Sequence, residues 1–84
     1  MLEPAQIRAA RALLGWRQDD LSKASRVGTA TIRRIENSGS SITGYVSTVI
    51  RIQSAFERAG VLFIADDEIA GIGVRLDKMS ATLC

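Results

Sequence analysis

The stretch from Gln18 to Glu36 constrains this chain more than any other part of it. It divides into two short amphipathic segments, Gln18 to Ser25 and Thr29 to Glu36, around a three-residue break at Arg26, Val27 and Gly28. Leu21, Ala24 and Val27 supply apolar groups before and within the break, and Ile32 and Ile35 supply them after it. Helices this short are not stable alone, so the two must share a core across the turn. That spacing is the spacing of a helix-turn-helix, a unit that sets its second helix into the major groove of DNA.

The flanks add elements around this pair. Glu3-Pro4 suits the start of a first helix, because proline is tolerated at the first helical position and an acid complements the positive end of the dipole. Ile7, Ala10, Leu13 and Leu14 recur at helical spacing, Gly15 suits a left-handed stop, and Trp16 reads as a core anchor. Asn37 to Gly44 is a loop by composition. Ser47 or Thr48 is the expected cap of a fourth helix running to about Ala59, with Val49, Ile52, Ala55 and Phe56 as its stripe and Gly60 as its stop. The period then changes. Val61-Leu62-Phe63-Ile64 is a β-prone run, and Ile72, Val74 and Leu76 alternate with Gly73 and Arg75, which predicts a β-hairpin with a long acidic turn at Asp66, Asp67 and Glu68. The expected fold is mainly α: a single domain of residues 1–84, with a bundle of four to five short helices over 1–60, a β extension over 61–77 and a tail over 78–84.

Composition narrows the function. A chain of 84 residues buries only about 60% of its unfolded surface, so dimerisation would add useful stability. The first 36 residues carry seven basic and four acidic side chains, and the remainder four and five, so the front half is weakly basic. Catalysis is not expected: histidine is absent, and the one cysteine, Cys84, is the last residue. Three adjacent carboxylates in a turn do not converge on a metal by themselves, so neither metal nor cofactor is expected. No apolar run approaches the roughly 18–20 residues that span a bilayer, and the expected location is the cytoplasm, with the nucleoid and away from membranes. Trp16, Phe56 and Phe63 read as core residues, leaving only Tyr45 as an exposed ring and no platform for stacking single-stranded bases.

A helical wheel of the second segment, at about 100° per residue, separates its chemistry. Ile32 and Ile35 point one way with Thr31 beside them, whereas Ala30, Arg33, Arg34 and Asn37 point the other, with Thr29 at the leading end. Thr29, Ala30, Arg33 and Arg34 are the expected base contacts. An arginine donates two hydrogen bonds to guanine N7 and O6, and methyl groups meet thymine methyls. Arg34 is favoured for bases, since Arg33 is rotated toward one flank. Expected phosphate contacts are Arg17 and Gln18 at the start of the preceding helix, and Asn37, Ser38, Ser40 and Tyr45 after the recognition helix.

The residues Ile7-Arg-x-x-Arg11, Leu14-Gly-Trp16, Gln18-x-x-Leu21, Ala24, Val27, Thr31-Ile32 and Arg34-Ile-Glu36 resemble the phage-repressor and Cro-like helix-turn-helix family, also called the XRE family. The resemblance covers about residues 4–60, and the β ending is similar to that of small bacterial regulators. It implies a lambda-repressor-like bundle acting as a homodimer on an inverted-repeat operator, with control of its own promoter. It also implies that Gln18 fixes a backbone phosphate, and that Arg11 and Glu36 form a structural ion pair. Two positions depart from the family. Arg26 stands where the turn usually has glycine, which puts a further cation in reach of phosphate, and Gly28 replaces the usual serine or threonine cap.

The first strand is apolar on both faces, so one face can cover the helices while the other needs a partner. Val61, Leu62, Phe63 and Ile64 are therefore the expected dimer seam. The competing reading is an antitoxin or antiactivator whose apolar extension captures another protein; RNA polymerase is a further candidate partner of a bound regulator.

Overall fold

The computed structural model describes residues 2–38 and 46–78. Among these the chain forms α1 (Pro4–Leu14), α2 (Gln18–Ser25), α3 (Thr29–Glu36), α4 (Val46–Arg58), β1 (Val61–Ile64) and β2 (Gly73–Leu76). The mainly helical fold with a small β ending is the one expected. No helix among the described residues is long and apolar enough to cross a membrane.

Local chemistry explains the boundaries of the first three helices. Glu3 is extended at the cap of α1, and its backbone N–H donates to Gln6 Oε1 at 3.0 Å. Leu2, just before the cap, is buried in the same cluster as Ile7, which staples the entering chain to the helix. Gly15 ends α1 in the left-handed region, at φ 68°, with the N–H of Trp16 closing onto Arg11 O at 2.9 Å. In α2, Asp20 Oδ2 accepts the Arg17 backbone N–H at 2.9 Å and restrains the first turn. The break between α2 and α3 puts Arg26 at φ 60°, a left-handed conformation that costs an L residue about 1–2 kcal/mol. Ser25 supports it. The buried hydroxyl donates to Leu21 O at 2.7 Å and accepts the Val27 N–H at 3.3 Å, so a side chain supplies contacts that stabilise the turn.

Gly28 caps α3 at φ −60° and ψ 144°, with no side-chain acceptor. A Cβ there would meet nothing within 4 Å. Gly28→Ser should therefore raise unfolding stability by about 0.5–1 kcal/mol, through a restored cap and a less flexible unfolded chain. Thermal denaturation checks this as a rise of a few degrees in Tm.

The core is built from Ile7 and Ala10 of α1, Leu21 of α2, Val27 of the turn, Ile32 and Ile35 of α3, Val49, Ile52, Ala55 and Phe56 of α4, and Val61 of β1. Trp16 anchors its edge as expected, stacked on Phe56 with ring centroids 5.7 Å apart. Two details differ from the sequence reading. Leu13 is exposed, because it lies about 100° around the helix from Leu14 and so leaves the stripe that Ile7, Ala10 and Leu14 share. Ser47 and Thr48 lie inside the first turn of α4 rather than capping it, because α4 already starts at Val46. A hydroxyl residue is accommodated at either place, so residue type alone does not separate them.

The hairpin pairs β1 and β2 antiparallel, Val61 opposite Leu76 and Phe63 opposite Val74. These four side chains turn toward the helices, and Phe63 meets Phe56 edge-on with centroids 5.9 Å apart. Leu62 and Ile64 face outward, each 41% exposed. The hairpin is fixed to the bundle by a polar residue. Buried Gln6 donates from Nε2 to Ile64 O at 3.2 Å and to Gly73 O at 3.1 Å, tying α1 to both strands. α1 packs on β2 and α4 on β1, so the sheet closes one end of the helical core.

Candidate nucleic-acid interface

The interface is organised by a buried carboxylate. Glu36, at the end of α3, is 3% exposed and accepts from Arg11 twice, Nε to Oε2 and Nη2 to Oε1, both at 2.8 Å. This bidentate geometry is the strong form of an arginine–carboxylate pair. The remaining Arg11 nitrogen, Nη1, donates to Trp16 O at 3.2 Å, which fixes the corner between α1 and α2. Gln18 Nε2 donates to Glu36 Oε1 at 3.3 Å. An amide nitrogen has two hydrogens, so the Gln18 side chain keeps one donor and its whole carbonyl end for another partner. Arg8 adds a bond from Nη1 to the Glu36 backbone carbonyl, a cation placed at the negative end of α3. One carboxylate thus sets the position of α1, α2 and α3 together.

α3 sits on the body through Ile32, Ile35 and Glu36 and turns Ala30, Arg33, Arg34 and Asn37 to solvent. Neither Arg33 nor Arg34 forms a hydrogen bond or ion pair among the described residues. Thr29 is half-buried, and its hydroxyl donates to Asp19 Oδ1 at 3.3 Å. Arg17, Gln18, Thr29 and Arg33 line one open cleft of about 370 Å³ together with Arg11 and Asp19. Ala30, Arg34 and Asn37 lie on the exposed surface of α3 beside this cleft, and outside its lining. The first two amides of α2 have no carbonyl within the helix to bond, so this margin also offers backbone donors.

The other expected residues are placed less uniformly. Ser38 is exposed, and its hydroxyl donates to Ile35 O at 2.7 Å, closing the end of α3. Arg26 lies at the far end of α2, on a different groove, with Arg51 and Arg58. Ser40 and Tyr45 lie outside the described residues. Of the expected seam, Val61 is fully buried and Phe63 packs inward, so Leu62 and Ile64 are the two that present side chains outward.

Three residues escape the sequence reading. Asp19 brings a carboxylate into the cleft, whereas its place in the first turn of α2 signals only a favourable interaction with the dipole. Arg8 precedes Arg11 by one helical turn, a spacing that puts both cations over the end of α3. Gln6 stands three residues after the Glu3 cap, where a capping-box glutamine is expected, although its bonds to the strands have no local signal.

A helix-turn-helix family model matches residues 7–57, which takes in all of α2, the turn and α3, and most of α1 and α4. No match was found among curated proteins or among solved structures. The matched span exceeds half of the chain and contains both partners of the Arg11–Glu36 pair. A short, exposed cationic helix, pinned by two isoleucines and one ion pair behind a tight turn, agrees with that match, and the chain belongs to the XRE-type helix-turn-helix family of DNA-binding regulators.

Proposed function

We propose that the protein is a sequence-specific transcriptional regulator that binds an inverted-repeat operator as a homodimer and controls its own promoter. The observation that carries this reading is the outer face of α3, where two guanidinium groups without partners among the described residues and a methyl are exposed, Arg33 in the cleft with Arg17 and Gln18, and Arg34 and Ala30 outside its lining. Arg33 is within that cleft, so the phosphate backbone that Gln18 would hold also falls to Arg33, and Arg34 is left for bases. Ala30 and the Thr29 methyl supply apolar contacts to thymine. Arg17, Asn37 and Ser38 are assigned to phosphates, as are Ser40 and Tyr45. Two such helices about 34 Å apart would enter successive major grooves on one side of a duplex. The outward Leu62 and Ile64 side chains are the apolar surface assigned to the dimer seam.

The test is binding to the DNA upstream of the encoding gene, compared with a shuffled duplex across a salt series. A palindrome with half-sites one helical turn apart should bind two protomers and exceed the shuffled duplex by about a thousandfold or more at moderate salt. The logarithm of affinity should fall linearly with the logarithm of salt concentration. Equal affinity for palindromic and shuffled duplexes would overturn sequence-specific recognition.

A further inference from the structure

A second groove lies between the end of α2 and the side of α4, away from the recognition cleft. Its volume is about 430 Å³, and Arg26, Arg51, Arg58, Ile50, Ser54 and the end of α2 line it. Among the described residues, none lines both this groove and the recognition cleft. Arg58 Nη2 donates to Ala24 O at 3.2 Å, and none of the three guanidinium groups meets a carboxylate among the described residues. The residues outside the description bring no acidic side chain that could neutralise them. Ile50, 56% exposed, adds an apolar side to the same groove. Three like charges around one hollow repel each other, and an anionic occupant would relieve that repulsion.

The complementary object is on the chain itself. The hairpin turn holds Asp66, Asp67 and Glu68 in sequence, followed by Ile69, which is 96% exposed. This turn has a defined shape: Asp67 Oδ1 accepts the N–H of Ile69 at 2.8 Å and of Ala70 at 2.7 Å. The Asp67 N–H donates to Ala70 O at 2.9 Å. Those bonds to the Ala70 and Ile69 amides also lower the Asp67 pKa, which favours its carboxylate form. The turn does not fill the groove of its own chain. Asp66 lines a cleft with Glu3, Gln6 and Gln53, and Gln53 lies roughly 60–160° around α4 from the groove-lining residues.

We infer that the acidic hairpin tip, Asp66 to Ile69, docks into the arginine groove of a second copy of this chain, with Ile69 against Ile50 and the carboxylates against Arg26, Arg51 and Arg58. This rests on the homodimer reading and names the contacts that would hold it. In a two-fold dimer the contact occurs twice, each tip entering the partner's groove, so one substitution strikes the interface at two places. Such an arrangement also commits Arg26 and its neighbours to protein rather than to phosphate.

The experiment is sedimentation equilibrium on the full chain, without DNA, for the wild type, Arg51→Glu, Glu68→Arg, Ile69→Ser and the double variant Arg51→Glu/Glu68→Arg. Arg51 and Glu68 are exposed and Ile69 is almost wholly so, which leaves the folded protomer intact in each variant. Each single charge reversal should weaken self-association by about tenfold or more, and the double variant should recover most of the loss. Ile69→Ser should weaken it by a few fold. Single reversals that leave the association constant unchanged while the wild type dimerises overturn the tip-in-groove contact alone. The same holds for a double variant no tighter than the singles, and for an Arg51→Glu protein that keeps its dimer and loses only DNA affinity. A monomeric wild type overturns the homodimer reading as well, whether or not the groove then binds an acidic peptide from another protein.

Discussion

Replacing Arg11 with alanine is expected to lower unfolding stability by about 3 kcal/mol, the low end of the cost of breaking a buried ion pair. The whole domain is expected to hold only about 4–13 kcal/mol, so the loss is a large share of the total. The cause is what remains behind. Glu36, 3% exposed, would lose both 2.8 Å bonds and keep, among the described residues, a single side-chain donor to its carboxylate, Gln18 Nε2 at 3.3 Å. The Trp16 carbonyl would lose its bond from Arg11 as well. Most of the cost comes from holding an under-satisfied carboxylate away from water, and less from the attraction that is lost.

The complementary substitution, Glu36→Gln, should cost less. Arg11 retains 20% side-chain exposure and can reach water, and the amide can still accept one of its bonds. Urea denaturation of the two variants should therefore give unequal losses, with Arg11→Ala the worse. Equal losses would mean that the pair matters through its geometry and not through the buried charge. Arg11→Ala should also weaken DNA binding beyond its effect on folding, measured well below the melting temperature, because the Gln18 amide loses a fixed acceptor. A neutral Arg11→Ala would remove the ion pair from the account of how α1, α2 and α3 are held.

The parts of this arrangement that were legible in the sequence are those encoded locally. α2 and α3 could be bounded to the residue because the apolar period of each breaks between Ser25 and Thr29, even though Arg26 and Gly28 lack the glycine stop and hydroxyl cap usual at those places. The outward face of α3 followed from the same periodicity, since Ile32 and Ile35 leave only one direction for Arg33 and Arg34. The cleft that joins Arg17, Gln18, Asp19, Thr29 and Arg33 was not legible, because it depends on how α2 and α3 cross rather than on either helix alone. Gln6 was hidden for a similar reason. A glutamine in an amphipathic helix reads as solvated, and its two carbonyl partners lie 58 and 67 residues away in sequence. In the hairpin, the alternation of Val74 and Leu76 gave the inner face, but the pairing of Ile64 with Gly73 is set by the turn, which has no two-residue signature. Charge complementarity between the turn and the α4 groove is a property of the folded surface and had no sequence signal at all.

The geometry of the cleft makes the two arginines of α3 separable, and Arg34→Ala is the sharper test. Arg34 is exposed, outside the cleft and without a partner among the described residues, so its removal should leave folding within about 0.5 kcal/mol of the wild type. If it donates two hydrogen bonds to one guanine in each half-site, its loss removes about 1–3 kcal/mol of discrimination per site. A dimer carries the change twice, so the ratio of operator to shuffled-duplex affinity should fall by about 30-fold at the least, and relaxed preference should be confined to one base position per half-site. Arg33→Ala should behave differently. Beside Arg17 and Gln18 it is assigned to phosphate, so its loss should weaken binding to both duplexes alike and reduce the salt slope by about one per protomer. Competition binding on the two duplexes, repeated at three salt concentrations, reads both effects at once. The reverse pattern, with specificity lost in Arg33→Ala and salt slope lost in Arg34→Ala, would exchange the two roles, because a guanidinium at the lip of the cleft would then be the one that reaches the base edges.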